Sequence, residues 1–315
     1  MKTSSQAVGA LPLAAILACV GLHSSVRAKD SNQDQKKSSA IRIDVNLVSI
    51  LASVIDANGR PVSDLTQDAF ELKEEGIPQK IERFEAQTGR PLDLALMIDS
   101  SMSTFKDLKF ECDAASHFIK QVVRPGDTLG VFEFSDSVTQ VAEFSDNVPA
   151  LQSAAEKIAP GAGTSIYDAV VLGSNALRRL PQERRRAIVL VTDGGETTSM
   201  SKFDDARRAA IRSGTLLYSI IIRPVKNENG RNTAGEHALI TITDSTGGAL
   251  FILDELQQLD AMFDRINREL RTQYLLGYYP NPIPKPGTTR HVEVKVQSGD
   301  MVRYRKEYVT SGASR

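Results

Sequence analysis

Two patterns of apolar and polar residues alternate along this chain. In residues 41–88, short stretches of alternating apolar and polar residues are separated by turn signals such as Asn58-Gly59, which is typical of half-buried β-strands. Residues 274–310 return to this pattern, most clearly in HVEVKVQ. Neither segment has enough strands for a stable sheet alone. We therefore expect the two segments to pair into one small β-sandwich, and two independent β-units are the alternative.

Residues 91–271 follow a different pattern. Four runs are apolar almost throughout, as in strands buried on both faces of a parallel sheet: LDLALMI, TLGVFEF, AIVLVT and TLLYSIII. Between and after them, apolar residues recur at steps of three and four in segments that begin at Phe105, Ile166, Ala206 and Leu256, which predicts helices. The fold class is therefore α/β: a doubly wound, mostly parallel sheet inserted into, or flanked by, the small all-β sandwich.

The amino-terminal residues predict export. Residues 1–28 combine Lys2, an apolar run over 7–22 and small residues in VRA, as in a cleaved signal peptide. The run is short for a membrane span. A lipoprotein anchored at Cys19, in AILAC, and a retained anchor helix are the alternatives. Residues 29–40 are polar and charged and predict a disordered linker. The mature protein is expected to be periplasmic or extracellular.

Composition narrows the function classes. The formal net charge of the 315 residues is −1, which gives no electrostatic reason to expect nucleic acid as a partner. The chain has two cysteines. Cleavage after Ala28 would leave only Cys112, so no intrachain disulfide could form. Cys112 falls on an apolar helix face, and we expect a buried thiol.

The stretch LALMIDSSMST contains the first candidate ligands. Ligands of open α/β sheets bind outside the carboxyl ends of the strands, and Asp99 lies at such an end, followed at alternate positions by Ser101 and Ser103. One carboxylate and neutral hydroxyls suit Mg²⁺ better than zinc. Asp and Ser are also common in turns and helix caps, so D-x-S-x-S alone leaves a purely structural role open.

Two further elements follow along the chain. GAGTSIYDA places Thr164 on a glycine-rich loop before a helix, and VLVTDGGE places Asp193 at the end of another buried strand. The three elements together, in this order, resemble the von Willebrand factor A-type (VWA) domain with its metal-ion-dependent adhesion site, over residues 91–271. The resemblance implies one metal site whose ligands, direct or through water, are Asp99, Ser101, Ser103, Thr164 and Asp193.

The resemblance also implies a function. The metal would be Mg²⁺, with Mn²⁺ or Ca²⁺ as alternatives, and its open position would take an Asp or Glu carboxylate from a protein partner. Binding could be coupled to a shift of the last helix, residues 255–271. The segments VIDANGRPVSDLTQDAFEL and YLLGYYP resemble an exported bacterial subgroup, the VWFA-related Acidobacterial domain proteins. A structural subunit of a cell-envelope assembly, with a fold-stabilising metal, is the second hypothesis.

An enzymatic function finds little support in the sequence. H-E-x-x-H, C-x-x-C and G-x-S-x-G do not occur, and no His has a recognisable spacing to Ser101 or Ser103. A metal-dependent hydrolase needs a base beside an activated water, and Glu196 and Asp168 are the candidates. We therefore predict a protein that is not an enzyme. The basic run RRLPQERRR is interpreted as a helix end followed by a solvated loop, with an anionic-surface patch as the alternative. The polar stretch KNENGRNTAGEH could contribute to partner specificity.

Overall fold

A computed structural model describes residues 47–87, 89–223 and 233–310. The predicted signal peptide, the linker, Cys19 and most of the predicted strand at 41–47 lie outside the described residues, as does the greater part of KNENGRNTAGEH.

The described elements alternate as the sequence patterns predict in most places. The strands in chain order are β1 (Val48–Ile55), β2 (Phe70–Glu74), β3 (Ile77–Pro78), β4 (Ile81–Glu85), β5 (Leu92–Asp99), β6 (Thr128–Phe134), β7 (Val138–Ser145), β8 (Arg185–Thr192), β9 (Thr215–Ile222), β10 (Ala249–Leu253), β11 (Tyr274–Tyr278), β12 (Thr289–Val296), β13 (Met301–Tyr304) and β14 (Glu307–Val309). The helices are α1 (Leu108–Val122), α2 (Val148–Ala155), α3 (Ile166–Arg178), α4 (Phe203–Ser213), α5 (Thr233–Thr246) and α6 (Leu259–Arg271).

The outer segments pair with one another. One four-stranded sheet has the order β13-β1-β11-β4 and another has the order β14-β12-β2-β3, and their pairs are antiparallel. Each sheet therefore combines strands from before and after the central segment. The inward residues of both sheets, among them Ile50, Tyr274 and Val294, form one buried cluster. This shared cluster is the core that neither segment could build alone.

The central segment forms a six-stranded sheet in the order β10-β9-β8-β5-β6-β7. Its pairs are parallel except β6 with β7. Helices α1, α2 and α6 contribute to the core on one face, and α3, α4 and α5 to the core on the other. The predicted fold class, a doubly wound and mostly parallel sheet accompanied by antiparallel sheets, is confirmed. Strand β5 lies in the middle and all its residues are buried, so its carboxyl end opens between neighbouring loops.

Several local predictions differ from the structure. Phe105, which we expected on the first helix face, precedes α1 and is 57% exposed. The last helix begins at Leu259, after a separate 3-10 turn at Leu256–Gln258. Arg185 and Arg186 are not part of a solvated loop, because they begin β8 and are buried. Cys112 is buried, as predicted. No helix within the described ranges is long and apolar enough to cross a membrane.

Candidate metal-binding site

The site is built around Asp99, the last residue of β5. Its side chain has no exposed surface. Oδ1 accepts a hydrogen bond from the backbone N–H of Ser101 at 2.9 Å, and Oδ2 accepts one from the hydroxyl of Thr192 at 2.6 Å. The carboxylate is therefore fixed between its own loop and the end of β8, the neighbouring strand.

The loop after β5 turns at once. Thr104 donates its hydroxyl to the carbonyls of Asp99 and Ser101, at 3.1 and 3.0 Å. The turn brings the Ser101 and Ser103 hydroxyls 3.0 Å apart, so the D-x-S-x-S spacing gathers its two serine side chains. Ser101 is buried and Ser103 is exposed, so this pair runs from the interior to the surface.

Asp136, which the sequence analysis missed, holds the loop that carries Thr164. Its carboxylate accepts hydrogen bonds from the N–H groups of Gly163, at 2.8 Å, and Ala162, at 3.3 Å. A Cβ at position 163 would lie 2.5 Å from Thr198 Cγ2 and 2.6 Å from Asp136 Oδ1, so Thr198 and Asp136 would have to move, and glycine allows the close approach. Thr164 follows directly and is buried.

The third loop follows β8. Thr192 accepts the N–H of Gly194 at 3.1 Å while it donates to Asp99. Gly194 has φ +84°, a conformation that glycine adopts without strain. Asp193 lies between them and accepts the N–H of Gly195 at 2.9 Å. Asp193 is only half-buried, so one of the two predicted carboxylate ligands faces the surface.

Hydrogen bonds connect the three loops in pairs. Gly161 N–H donates to the Ser100 carbonyl at 2.7 Å, which joins the first and second loops. Thr164 N–H donates to Thr197 Oγ1 at 2.9 Å, and Thr197 N–H donates to the Thr164 carbonyl at 2.9 Å, which joins the second and third. The Asp99–Thr192 hydrogen bond joins the first and third. Three segments distant in sequence thus form one connected structure at the carboxyl edge of the sheet.

Negative charge accumulates at this edge. Burial, with a smaller contribution from the charge of Asp193, raises the pKa of Asp99 to about 6, although the hydrogen bonds from Ser101 and Thr192 oppose the shift. Burial, together with the charges of Asp99, Asp107 and Asp193, raises the pKa of Glu111 on α1 to about 8. Among the described residues, no Lys or Arg forms an ion pair with Asp99, Asp193 or Glu111. The buried charge is therefore uncompensated by the protein's own described cations.

The donor set fits a hard divalent cation. The five predicted ligands offer two carboxylates and three hydroxyls, all oxygen. The described part of the chain contains no group of three or more His, Cys, Asp or Glu placed to hold a metal, so a cation here would depend on the hydroxyl ligands. Glu111 has a buried oxygen, Oε2, without a described hydrogen-bond partner. Sequence reasoning missed Glu111, although an acidic residue on the apolar face of a predicted helix could have indicated a buried carboxylate.

The two candidate bases for hydrolysis have other roles. Glu196 accepts hydrogen bonds from the N–H groups of Tyr167 and Ser199 and from the Ser199 hydroxyl. Asp168 accepts the N–H groups of Met200 and Ser201, both at 2.8 Å. Burial alone would raise the pKa of Asp168, but these hydrogen bonds outweigh it and lower the pKa. Both carboxylates fix the loop after β8, which disfavours either as a general base.

Glu111 makes the stability of the metal-free protein depend on pH. Its folded pKa, about 8, lies above its ordinary value of 4.5, so the folded state holds an extra proton between these values and stability falls as the pH rises. In EDTA, the free energy of unfolding is expected to fall by about 2 kcal/mol from pH 6 to pH 8. Asp99 contributes little in this window because its pKa is about 6.

Urea unfolding at pH 6, 7 and 8 measures this dependence. Glu111→Gln has no charge to bury, so its stability should change by less than about 1 kcal/mol over the same range. Asp113→Asn, an exposed neighbour on α1, should keep the wild-type slope. Parallel profiles for wild type and Glu111→Gln would contradict the assignment.

Comparisons with known proteins bear on the fold. Residues 94–196 match the family model of the von Willebrand factor type A domain, and no curated protein matches the chain. Among solved structures, the chain is similar to von Willebrand factor type A from Catenulispora acidiphila, at 11% identity and a TM-score of 0.51, over 85% of this chain and 74% of that chain.

Two further structures are similar. The pilus adhesin SpaC from Lactobacillus rhamnosus GG, in its open conformation, shares 10% identity at a TM-score of 0.50, over 81% of this chain and 48% of that chain. The protein BatB from Bacteroides thetaiotaomicron shares 18% identity at a TM-score of 0.46, over 57% of this chain and 100% of that chain. Identities this low concern the fold and not the ligands. From the family match and the strand order, the chain contains a von Willebrand factor type A domain.

Proposed function

We propose that this protein is an exported binding module that captures an Asp or Glu carboxylate of a protein partner through a divalent cation, Mg²⁺ in the first place. The observation that carries the proposal is the buried, uncompensated Asp99 carboxylate at the point where three hydrogen-bonded loops meet. A buried charge of this kind is costly without a counter-charge, and a bound cation would supply one.

Each ligand has a distinct part in the proposal. Asp99 and Asp193 would supply the negative charge, and the hydroxyls of Ser101, Ser103 and Thr164 would supply neutral oxygens. Because the protein supplies only two carboxylates, the bound divalent cation retains affinity for a third carboxylate, supplied by the partner protein. Ser103 is exposed and Asp193 half-buried, which leaves the partner a way in. Mn²⁺ and Ca²⁺ remain the alternatives.

The solved relatives add limited support. The SpaC structure is described as a pilus adhesin, which agrees with a role in protein binding but says nothing about the partner here. Export rests on residues 1–28, and the membership of the exported bacterial subgroup stays a prediction. Fractionation of cells that express the full chain tests export directly.

Metal-dependent capture tests the binding function. The immobilised protein is incubated with an envelope extract in Mg²⁺ or in EDTA, and bound proteins are quantified. We expect a set of proteins that is retained in Mg²⁺ and lost in EDTA, and lost again when the extract's carboxylates are amidated beforehand. Asp113→Asn should retain this set, whereas Asp99→Asn should not. Capture that ignores EDTA and Asp99→Asn would contradict the proposal and favour an envelope subunit with a fold-stabilising metal.

A further inference from the structure

An arginine-rich cleft lies at the opposite edge of the central sheet from the candidate metal site. It has a volume of about 410 Å³ and lies where the starts of β8 and β9 face β1 and β11 of the sandwich. Seven arginines and a single acid, Glu183, line it. We call this feature the arginine cleft. The basic run RRLPQERRR supplies several of these arginines. The sequence alone did not show that they line a cleft.

Only some of these arginines are neutralised. Arg184 forms an ion pair with Asp93 at 2.7 Å, and Arg90 forms one with Glu85 at 3.5 Å. Among the described residues, no carboxylate lies within 4.0 Å of the guanidinium groups that make up the rest of the basic lining. Those without an ion pair include Arg178, Arg186, Arg212 and Arg305. The cleft therefore keeps a local excess of positive charge in a chain whose net charge is close to zero.

Arg186 shows that this charge is built into the fold. It is only 8% exposed, and its guanidinium donates to the carbonyls of Ser213, at 2.8 Å, and Leu180, at 3.0 Å. Its Nε is buried without a hydrogen-bond partner in the described ranges. Neutral carbonyls position the guanidinium but do not cancel its charge. The Asp93 carboxylate also acts on this charge, but it pairs with Arg184, so one carboxylate serves two guanidinium groups. A buried cation here therefore remains costly unless an anion approaches.

A second guanidinium comes from the sandwich. A Cβ at Gly214, the left-handed residue that ends α4, would lie 3.3 Å from Arg305 Nη1. The Arg186 guanidinium donates to the carbonyl of Ser213, the adjacent residue. Arg186 and Arg305 therefore approach the same turn from β8 and from the segment between β13 and β14. Ser49, Ser213 and Thr246 also line the cleft, and the hydroxyls of Ser213 and Thr246 form hydrogen bonds within the protein.

We propose that the arginine cleft binds a phosphorylated ligand. Guanidinium groups match phosphate oxygens in geometry and in charge, and they bind them through paired hydrogen bonds. Several arginines around one space suit an anion that carries more than one charge and several acceptor oxygens. The volume of about 410 Å³ lies in the range of sites for small organic ligands, so the phosphate would be a group on a larger molecule. A free phosphate ester and a lipid headgroup share this chemistry.

Calorimetric titration of the purified full chain with tripolyphosphate tests the proposal. All solutions contain EDTA, because Mg²⁺ binds polyphosphate and could bring it to the other site. Tripolyphosphate is expected to bind at least 10-fold more tightly than citrate, a multivalent carboxylate of similar charge. Equal affinity for citrate would overturn the assignment to phosphate, and the absence of measurable binding would overturn the site itself.

Variants locate the binding. Arg212→Gln combined with Arg305→Gln should weaken tripolyphosphate binding at least 10-fold, and Arg178→Gln, at the exposed end of α3, should weaken it at least threefold. Arg208→Gln is the matched control, because Arg208 lies on α4 but pairs with Asp205, and it should leave the affinity within twofold. If the double variant has a lowered melting temperature, the single variant Arg178→Gln decides. Affinity that none of the cleft variants changes would overturn the proposal.

Vesicles distinguish the two sources of phosphate. Co-sedimentation with phosphatidic acid vesicles, compared with pure phosphatidylcholine vesicles, reports a lipid headgroup. Binding that the cleft variants reduce supports the proposal with a lipid source, and tripolyphosphate binding without vesicle binding supports it with a soluble phosphate. These outcomes are independent of the metal site, which lies at the other end of the strands.

Discussion

Asp99→Asn is expected to weaken Mg²⁺ binding at least about 100-fold, or about 2.7 kcal/mol. Asp99 is the only predicted ligand that is both charged and fully buried, so its charge acts where the dielectric screening is weakest. Asparagine has the same shape and keeps one acceptor for the N–H of Ser101. It loses the negative charge and the second acceptor, which receives the Thr192 hydroxyl at 2.6 Å.

The same substitution should leave the metal-free protein folded. Burial raises the pKa of Asp99 to about 6, so the ionised carboxylate costs stability at neutral pH in the absence of a cation. Asn removes that cost, and its amide can donate to Thr192 Oγ1, so the free energy of unfolding in EDTA should change by no more than about 1 kcal/mol. Calorimetric titration with Mg²⁺ and urea unfolding in EDTA measure the two quantities, with Asp113→Asn as the control. Unchanged Mg²⁺ affinity would contradict the assignment of Asp99 as a ligand.

The sequence predicted best the parts of the fold where burial alone decides. Strand β5 is apolar on both faces because helices cover both sides of the sheet, and the acid and hydroxyls that follow it stand out for the same reason. In edge strand β7 no residue is fully buried. Its sequence therefore contains no continuous apolar run that would predict a strand. Its position depends on pairing with β6, and a single strand's pattern does not encode its partner.

Helix α5 was missed for a different reason. Its sequence, TAGEHALITITDST, is rich in β-branched residues, which favour strands. In the structure the hydroxyls bond within the helix: Thr241 Oγ1 donates to the His237 carbonyl at 2.9 Å, and Ser245 Oγ donates to the Thr241 carbonyl at 2.7 Å. Such local hydrogen bonds give the hydroxyl groups of the helix acceptors that water would otherwise provide. Tertiary packing against β9 then outweighs the local preference.

Arg185 was predicted wrongly because its acceptors are distant in sequence, and Arg186 because one of its acceptors, the Ser213 carbonyl, belongs to another turn. Arg185 donates to the carbonyl of Arg90 at 2.9 Å and to the side chain of Gln273 at 3.2 Å. Both partners lie roughly ninety residues away along the chain, so nothing near RRLPQERRR shows that its last two arginines enter a strand. The same holds for the metal-site candidates: the types of Asp99, Thr164 and Asp193 are visible in the sequence, but Asp136 and Glu111 acquire meaning only from the fold.

A buried charged network joins the two halves of the sandwich. Glu74 on β2 is 1% exposed and accepts hydrogen bonds from Arg290 Nε on β12, at 2.7 Å, from the Tyr278 hydroxyl on β11, at 2.6 Å, and from the Tyr308 hydroxyl on β14, at 3.0 Å. Burial and the neighbouring Glu74 raise the pKa of both tyrosines, so their hydroxyls stay protonated and donate. One carboxylate from the amino-terminal segment therefore holds three donors from the carboxyl-terminal segment.

Glu74→Gln is expected to destabilise the sandwich by about 2 kcal/mol, because the half-buried Arg290 loses its charged partner and buried donors lose a carboxylate acceptor. Arg290 loses its 2.7 Å ion pair and, within the described ranges, keeps Glu75 alone, at 4.0 Å. The NH2 group of the amide replaces one acceptor oxygen, so either Arg290 Nε or the two tyrosine hydroxyls no longer face an acceptor. Hydrogen exchange of peptides from β2, β11 and β12 measures the local opening free energy without requiring the whole chain to unfold in one step.

The control is Glu71→Gln, at an exposed position of β2. It should change the local opening free energy by less than about 0.5 kcal/mol. Equal protection in Glu74→Gln and Glu71→Gln would show that the network does not stabilise the pairing of the two segments. A loss confined to Glu74→Gln would show that residues before and after the von Willebrand factor type A domain depend on each other for stability.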